Sequence, residues 1–403
     1  MKVLQINTSI SSGSTGRIAS DIGEILIKEG HTSVIAYGRT MRESSSIAIK
    51  IGNKKDFLLH LVNTRFFDKH GFSSKQATKT FIDCIKEINP DIIHLHNIHG
   101  YYLHVGVLFD YLKKSKKPIV WTFHDCWPFT GHCSYFDRFN CYRWQSECFN
   151  CPNKHGYPES WFLDNSRKNF QQKKELFSGL ANMTLISPSD WMADHINSSF
   201  MNRYPVKIIK NGVDLDKFKP SDPAAVKEKY ELKGKYIILG VANIWDKRKG
   251  LTDFIRLRSL LDSCFTIVLV GLKSKQIRNL PEGIRGLTRT DSIEELAALY
   301  SAADVFVNPT YVDNFPLVNL EALACGTPVV TYNTGGSPEA GGNSETGRVF
   351  QKGDVENLKN GILDLIERSK ETNTILSRNR ASQLFNCRDR YMDYISTYKE
   401  ISV

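Results

Sequence analysis

The chain has 403 residues, 41% of them hydrophobic and 24% charged, with 27 Gly and 14 Pro, which excludes collagen-like and disordered architectures. A length of this order suits two domains, each able to bury a core without a disulfide scaffold. The net charge is +10 and unevenly placed: residues 1–205 carry 25 basic against 18 acidic side chains, a surplus suited to an anionic lipid, nucleic acid or polyphosphate partner.

At the N-terminus, polar Asn7-Thr8-Ser9 arrives before an apolar stretch of signal-peptide length accumulates, so no secretion signal is expected. No apolar run approaches the roughly eighteen residues of a spanning helix. A cytoplasmic location follows as the expectation, at most against the inner face of the cytoplasmic membrane. Runs at 2–7, 32–37, 91–96, 118–123 and 183–187 are rich in Val, Ile and Leu with little polar alternation, which predicts strands buried on both faces of a helix-covered parallel sheet. Residues 16–29 form the first crossover helix, with Ile18, Ile22, Ile25 and Leu26 at helical spacing and Gly30 closing it. The pattern restarts with apolar runs at 207–210, 236–241, 265–270, 304–308 and 328–332, separated by helices at 251–261, 293–302 and 317–325. The fold class is therefore α/β, with two doubly wound halves at 1–205 and 206–380. The amphipathic stretch 381–401 has no strand after it and is expected to return to the first half. Open α/β sheets bind ligands outside the carboxyl ends of their strands, so the site is expected in a deep cleft between two facing sheets.

Several motifs sit at such strand ends. After the first strand, Gly13-Ser14-Thr15-Gly16-Arg17 leads into a helix; small residues there let backbone N–H groups approach an anion at the positive helix end, and Arg17 adds a formal charge. An apolar segment, 57–67, is flanked by Lys54, Lys55 and Lys69, a pattern that suits either an ordinary core helix or peripheral contact with an anionic membrane. The fourth run, 118–123, delivers His124-Asp125, a histidine placed to donate to a sugar hydroxyl or phosphate with Asp125 fixing its tautomer. Five of nine cysteines follow between 126 and 151; Cys133, Cys141, Cys148 and Cys151 are spaced C-x7-C-x6-C-x2-C. In a reducing compartment that cluster predicts a structural zinc rather than disulfides, closing a long aromatic excursion over about 126–158.

In the second half, Asn243 and then Lys247-Arg248-Lys249-Gly250 follow a strand, and cations there suit a diphosphate. The segment Asp313-Asn314-Phe315-Pro316-Leu317-Val318-Asn319-Leu320-Glu321, running on to Cys325-Gly326-Thr327-Pro328, sets Pro at a helix start and Gly at its end. That helix would aim its positive end at the ligand, with Asp313 and Glu321 available to hold hydroxyls.

With these residues in place the chain resembles a family 4 glycosyltransferase of the GT-B fold, in the bacterial polysaccharide-assembly branch that includes colanic acid biosynthesis glycosyltransferases. The likeness covers the Gly-rich turn, Thr122-Phe123-His124-Asp125, Asn211-Gly212-Val213-Asp214, Arg248-Lys249-Gly250 and the acidic motif. The resemblance implies retaining transfer of a hexosyl or acetamidohexosyl unit from a nucleotide diphosphate sugar to a glycan or polyprenyl-diphosphate-linked acceptor, with no catalytic metal. It assigns Glu321 to the ribose, and it implies catalytic roles for His124, Asp313, Lys249 and Arg248. Donor contacts fall to Gly13 through Arg17, Asn243, Arg248, Lys249, Asn314 through Val318 and Glu321. Where the family has Glu at the first acidic position this chain has Asp313, and Asn243 stands where Arg is common. A hydrolysing nucleotide-sugar epimerase on the same fold is the alternative enzyme. A zinc-bearing nucleic-acid binder is the non-enzymatic one, ranked last because no recognition helix is visible; no nucleic-acid partner is expected.

Overall fold

The computed structural model describes residues 1–402. The first sheet contains β1 (Lys2–Asn7), β2 (Thr32–Tyr37), β3 (Ile47–Lys50), β4 (Ile92–Leu95), β5 (Ile119–Thr122), β6 (Met183–Ser187) and β7 (Val206–Ile208), in the order β3-β2-β1-β4-β5-β6-β7. The second contains β8 (Tyr236–Val241), β9 (Phe265–Val270), β10 (Ile284–Leu287), β11 (Val305–Asn308), β12 (Val329–Tyr332) and β13 (Gly347–Phe350), in the order β10-β9-β8-β11-β12-β13. Every strand pair is parallel. Both sheets thus repeat the Rossmann order 3-2-1-4-5-6, and each reverses direction once, at β1/β4 and at β8/β11. Such switch points open a crevice at the strands' carboxyl ends.

The chain divides into two compact units, Met1–Ile209 with the stretch from Tyr391 onward, and Lys210–Arg390. The expected strand near 207–210 belongs to the first sheet, where Val206–Ile208 pairs with β6, rather than opening the second. The terminal stretch is two helices, Lys370–Leu384 and Cys387–Ile401. The latter sets Tyr398 Oη 2.6 Å from His94 Nδ1 and Tyr394 Oη 3.4 Å from Thr122 Oγ1, so phenols from the chain's end cover the β4/β5 pair.

Central strands are apolar because both faces are covered: β4, β5 and β6 are buried at every position. Helix Gly13–Lys28 buries Ile18, Ile22, Ile25 and Leu26 on one stripe, the expected 3.6-residue periodicity. Helix Lys54–Phe67 behaves differently. It buries only His60 and Thr64, leaving Leu58 and Leu59 58% and 62% exposed, so the core-helix reading of this segment does not hold. Among the described residues no helix is long and apolar enough to cross a membrane.

Candidate functional site

In the second unit the acidic motif and the Lys-Arg-Lys turn come together beyond β8 and β11. Asp246 Oδ1 accepts the N–H groups of Arg248 (2.9 Å) and Lys249 (3.2 Å), which winds Lys247–Lys249 into a single 3-10 turn. Gly250 follows at φ +73, where a Cβ would lie 2.3 Å from the Pro309 carbonyl oxygen, so only glycine lets the turn lie against the end of β11. The geometry delivers Lys249 Nζ to 2.5 Å from Asp313 Oδ2, with side chains only 17% and 19% exposed. Arg248 precedes it in the turn, its Nε 3.9 Å from Asp246 Oδ2. Asn243 is exposed beyond the strand end.

Asp313 and Glu321, expected to act alike on hydroxyls, are held very differently. Asp313 is the counter-ion of Lys249. Glu321 is 4% exposed and accepts a 2.9 Å hydrogen bond from Tyr300 Oη, a pairing the sequence did not reveal. Helix Leu317–Ala324 starts after Pro316, which has no N–H to lose, and its amide end lies next to Asp313-Asn314-Phe315. Two clamps fix it: Asn308 at the end of β11 donates to Asn319 Oδ1 (2.8 Å), and Gly336 N–H donates to the Asn314 carbonyl (2.8 Å). A Cβ at Gly335 would collide with the Asp313 carbonyl oxygen at 1.7 Å, so this loop closes on the acidic motif only because it is glycine.

In the first unit the Gly13–Arg17 segment is the opening turn of its helix. Ser12, at the cap position, makes no side-chain cap, and there is no acidic residue in the first turn. The positive helix end therefore carries no built-in anion. Gly16 lies 3.2 Å, at its would-be Cβ, from the Ser9 carbonyl oxygen, which packs the helix start against the end of β1.

His124 follows β5, and Asp125 does not fix its tautomer as expected. Asp125 turns away, accepting from His99 Nε2 (2.9 Å) and from Trp127 N–H (2.9 Å); burial alone would raise its carboxyl pKa, but His99 and these hydrogen bonds outweigh it and hold the group below its usual value. His124 Nε2 instead meets His96 Nδ1 at 2.9 Å, and His96 Nε2 meets Gln5 Oε1 at 2.9 Å. Gln5 Nε2 donates to the Ala19 carbonyl (2.9 Å), which leaves its Oε1 as the acceptor facing His96. The chain of roles is then forced: His96 carries its proton on Nε2 and accepts at Nδ1, so His124 donates from Nε2 and is left with Nδ1 as an acceptor. Burial, with a smaller push from His99, lowers the His124 pKa to about 4 despite the opposing pull of Asp125, so the ring is neutral at pH 7. A neutral ring that has committed its N–H accepts from a hydroxyl; it does not donate to phosphate.

Cys133, Cys141, Cys148 and Cys151 line one small cavity, and all nine cysteines are free thiols. Among the described residues no three His, Cys, Asp or Glu side chains already stand at ion-holding separations.

A family profile described as Glycosyltransferase Family 4 matches residues 15–217, and one described as Glycosyl transferases group 1 matches 235–368. The chain is 27% identical over 386 residues to the putative colanic acid biosynthesis glycosyl transferase WcaC of Escherichia coli (strain K12), covering 92% of this chain and 90% of that protein. A D-inositol 3-phosphate glycosyltransferase of Mycobacteroides abscessus is 30% identical over 175 residues, 40% of this chain and 39% of its own. Among solved structures, sucrose-phosphate synthase from Thermosynechococcus elongatus superposes with TM-score 0.72 at 18% identity, covering 100% of this chain and 99% of that one. Anabaena Alr3699/HepE in complex with UDP-glucose does so with TM-score 0.68 at 17% identity over 99% and 100%. Two Rossmann-like units that superpose in full on such enzymes, together with the profile match over residues 15–217, make this chain a member of glycosyltransferase family 4 with the GT-B fold.

Proposed function

We propose that the protein is a retaining transferase that moves a hexosyl or acetamidohexosyl unit from a nucleotide diphosphate donor to a glycan or polyprenyl-diphosphate-linked acceptor in cell-surface polysaccharide assembly. The observation that carries this reading is the partly buried Lys249–Asp313 pair beside an open helix amide end at the β8/β11 switch point. Cleavage of the anomeric bond leaves a diphosphate, and preorganised donors at that position stabilise the growing charge. Lys249, Arg248 and the start of helix Leu317–Ala324 supply it, so the chemistry needs no catalytic metal. Glu321, buried and oriented by Tyr300, is assigned to the ribose hydroxyls. His124 accepts a hydrogen bond at Nδ1 from a hydroxyl of the transferred sugar or the acceptor, without taking its proton. No side chain stands out as a covalent nucleophile, and retention is assigned to front-face substitution, with a phosphate oxygen taking the acceptor proton. The HepE–UDP-glucose complex supports the nucleotide-sugar donor, and the similarity to a putative colanic acid biosynthesis enzyme supports a place in polysaccharide assembly.

A thermal-shift panel of UDP-, GDP-, dTDP- and ADP-sugars tests the donor class. One nucleotide sugar is expected to stabilise the wild type, and Glu321→Ala is expected to weaken that binding by about tenfold to a hundredfold, the value of a charged hydrogen bond. An unchanged shift in the variant would remove Glu321 from the ribose. Release of a free epimer without any acceptor would favour the epimerase.

A lipid-linked acceptor calls for contact with a membrane, and the first unit carries a surface for it. Leu58, Leu59, Val62, Phe66 and Phe67 on helix Lys54–Phe67 are 40–62% exposed, and Trp161, Phe162 and Leu163 are 47–64% exposed. Phe66 joins the two sets through ring contacts of 5.5 Å with Trp161 and 5.4 Å with Phe162. With Lys54, Lys55 and Lys69 beside them, these side chains form a basic, aromatic surface of the kind that enters the headgroup region. The protein is expected to float with phosphatidylglycerol vesicles and to do so far less after Leu59→Asp with Phe162→Asp. Equal flotation of both proteins, with circular dichroism showing both folded, would refute the contact.

A further inference from the structure

Between β5 and helix Ser166–Phe177 the chain makes only three short 3-10 turns, Trp127–Phe129, Asp137–Phe139 and Arg143–Gln145. A connection of this length with so little backbone pairing is unusual unless something ties it together. Yet Phe136 and Trp144 are each 1% exposed, so the excursion is packed rather than loose. At its centre, the thiols of Cys133, Cys141, Cys148 and Cys151 and the imidazole of His132 line a single cavity of about 10 Å³, room for one water-sized guest. The Cys133 and Cys151 thiols are hydrogen-bonded to each other, and Gly131 N–H donates to Cys148 Sγ at 3.2 Å, so three of the four sulfurs are already held in place around the cavity.

His132 supplies an independent observation. It is 2% exposed, and its Nδ1 lies 2.6 Å from Asp68 Oδ1. The carboxylate is an acceptor, so Nδ1 carries a proton and Nε2 is the ring's remaining polar atom. That Nε2 is buried without a hydrogen-bond partner, in a residue that forms part of the cavity wall. Asp68 is itself fixed by the Asn165 N–H at 2.8 Å. A carboxylate that orients an imidazole in the wall of a thiol-lined cavity is the outer-shell arrangement of zinc sites, and an orphaned buried nitrogen calls for a partner.

We propose that this cavity is a structural Zn²⁺ site, its four ligands drawn from the thiolates of Cys133, Cys141, Cys148 and Cys151 and from Nε2 of the Asp68-anchored His132. Because the side chains are not yet at ion-holding separations, binding draws the sulfurs inward to the usual Zn–S distance of about 2.3 Å. Each coordinating thiol gives its proton to solvent, with no change of oxidation state. The ion would cross-link residues 133 to 151 and so hold the excursion that presents Trp161 and Phe162.

Elemental analysis of the full chain, expressed with zinc in the medium and purified without added metal, is expected to give about one zinc per chain. X-ray absorption should show at least three sulfur neighbours. Cys148→Ser with Cys151→Ser should lose the metal, whereas Cys264→Ser, at an exposed position outside the cluster, should keep it. Zinc-free wild type, a shell dominated by nitrogen and oxygen, or full zinc in the double variant would each overturn the proposal. Should the double variant fail to fold, the zinc content and absorption spectrum of the wild type still decide. The readout is metal content, so the result stands apart from the donor assignment above.

Discussion

Lys249→Met is expected to lower kcat/KM for sugar transfer by about a hundredfold to a thousandfold, the loss seen when one preorganised donor to a developing anion is removed. The side chain is 17% exposed, so its charge acts in a medium less screened than bulk water and cannot be replaced by solvent at the moment of bond cleavage. Asp313 neutralises it at 2.5 Å, which keeps the charge positioned before the donor arrives. Asp313→Asn should therefore cost less than Lys249→Met, because it loosens the position of the ammonium but leaves its charge. Arg248→Met should cost less again, since its side chain is 30% exposed and its charge is better screened by solvent. Steady-state kinetics with melting curves for all three variants check the order. A Lys249→Met enzyme within a few-fold of wild type, equally stable, would mean that Lys249 serves Asp313 and not the diphosphate.

How much of this could be read from sequence depends on where a strand lies in its sheet. β1, β2, β6, β8 and β9 begin and end where their apolar runs predict, because interior strands of a covered parallel sheet have no polar alternation to blur them. The three strands that went unrecognised, β3, β10 and β13, all lie at sheet edges, and the misassigned β7 occupies the remaining edge. Edge strands need satisfy only one neighbour and one buried face. Ile284-Arg285-Gly286-Leu287 and Gly347-Arg348-Val349-Phe350 accordingly mix Gly and Arg with apolar residues and carry no periodic signal.

The site divides in the same way. Contiguous motifs were legible: Lys249 and the Asp313-to-Glu321 segment do come together in the second unit, because the β8 and β11 loops both open at its switch point. Partnerships between distant positions were not. Tyr300 on Glu321, Asp68 on His132 and the Gln5–His96–His124 relay join residues 21 to 91 positions apart, and no local pattern encodes such pairs. One trace was present in the sequence: His94, His96 and His99 crowd the end of the run that became β4. Parallel pairing of β1, β4 and β5 then places Gln5 beside His94 and His94 beside Val120, which brings the polar ends of three strands within reach of one another.

Acidification from pH 7.5 to 5 is expected to unfold the first unit while the second stays folded. All eleven histidines lie between residues 31 and 195, within the first unit. His60, His70, His94 and His96 are no more than 2% exposed; burial, reinforced by neighbouring histidines, lowers His60 to about 3 and the other three well below the ordinary value. Geometry gives the reason. Gly71 N–H donates to His60 Nε2 at 3.0 Å, and Gly100 N–H donates to His70 Nε2 at 3.2 Å, so a proton added to either nitrogen would face another N–H. His94 Nδ1 accepts from Tyr398, and His96 Nδ1 is committed to His124. These groups have folded pKa values depressed below the unfolded 6.5, so below that pH the unfolded chain binds protons that the folded chain refuses. Their stabilisation is complete above about pH 6.5 and is lost as pH falls toward the folded values. A group that stays neutral in the folded chain costs at most about 1.4 kcal/mol of stability per pH unit in that window, and several such groups act together against a domain stability of about 5–15 kcal/mol. Hydrogen exchange at pH 7.5 and 5 should show protection lost in β1, β4 and β5 but retained in β8, β11 and β12. His60→Gln should lessen the pH dependence of the melting midpoint by about one histidine's share. Uniform protection in both units at pH 5, or earlier loss in the second, would show that the buried imidazoles do not set the acid stability of the first unit.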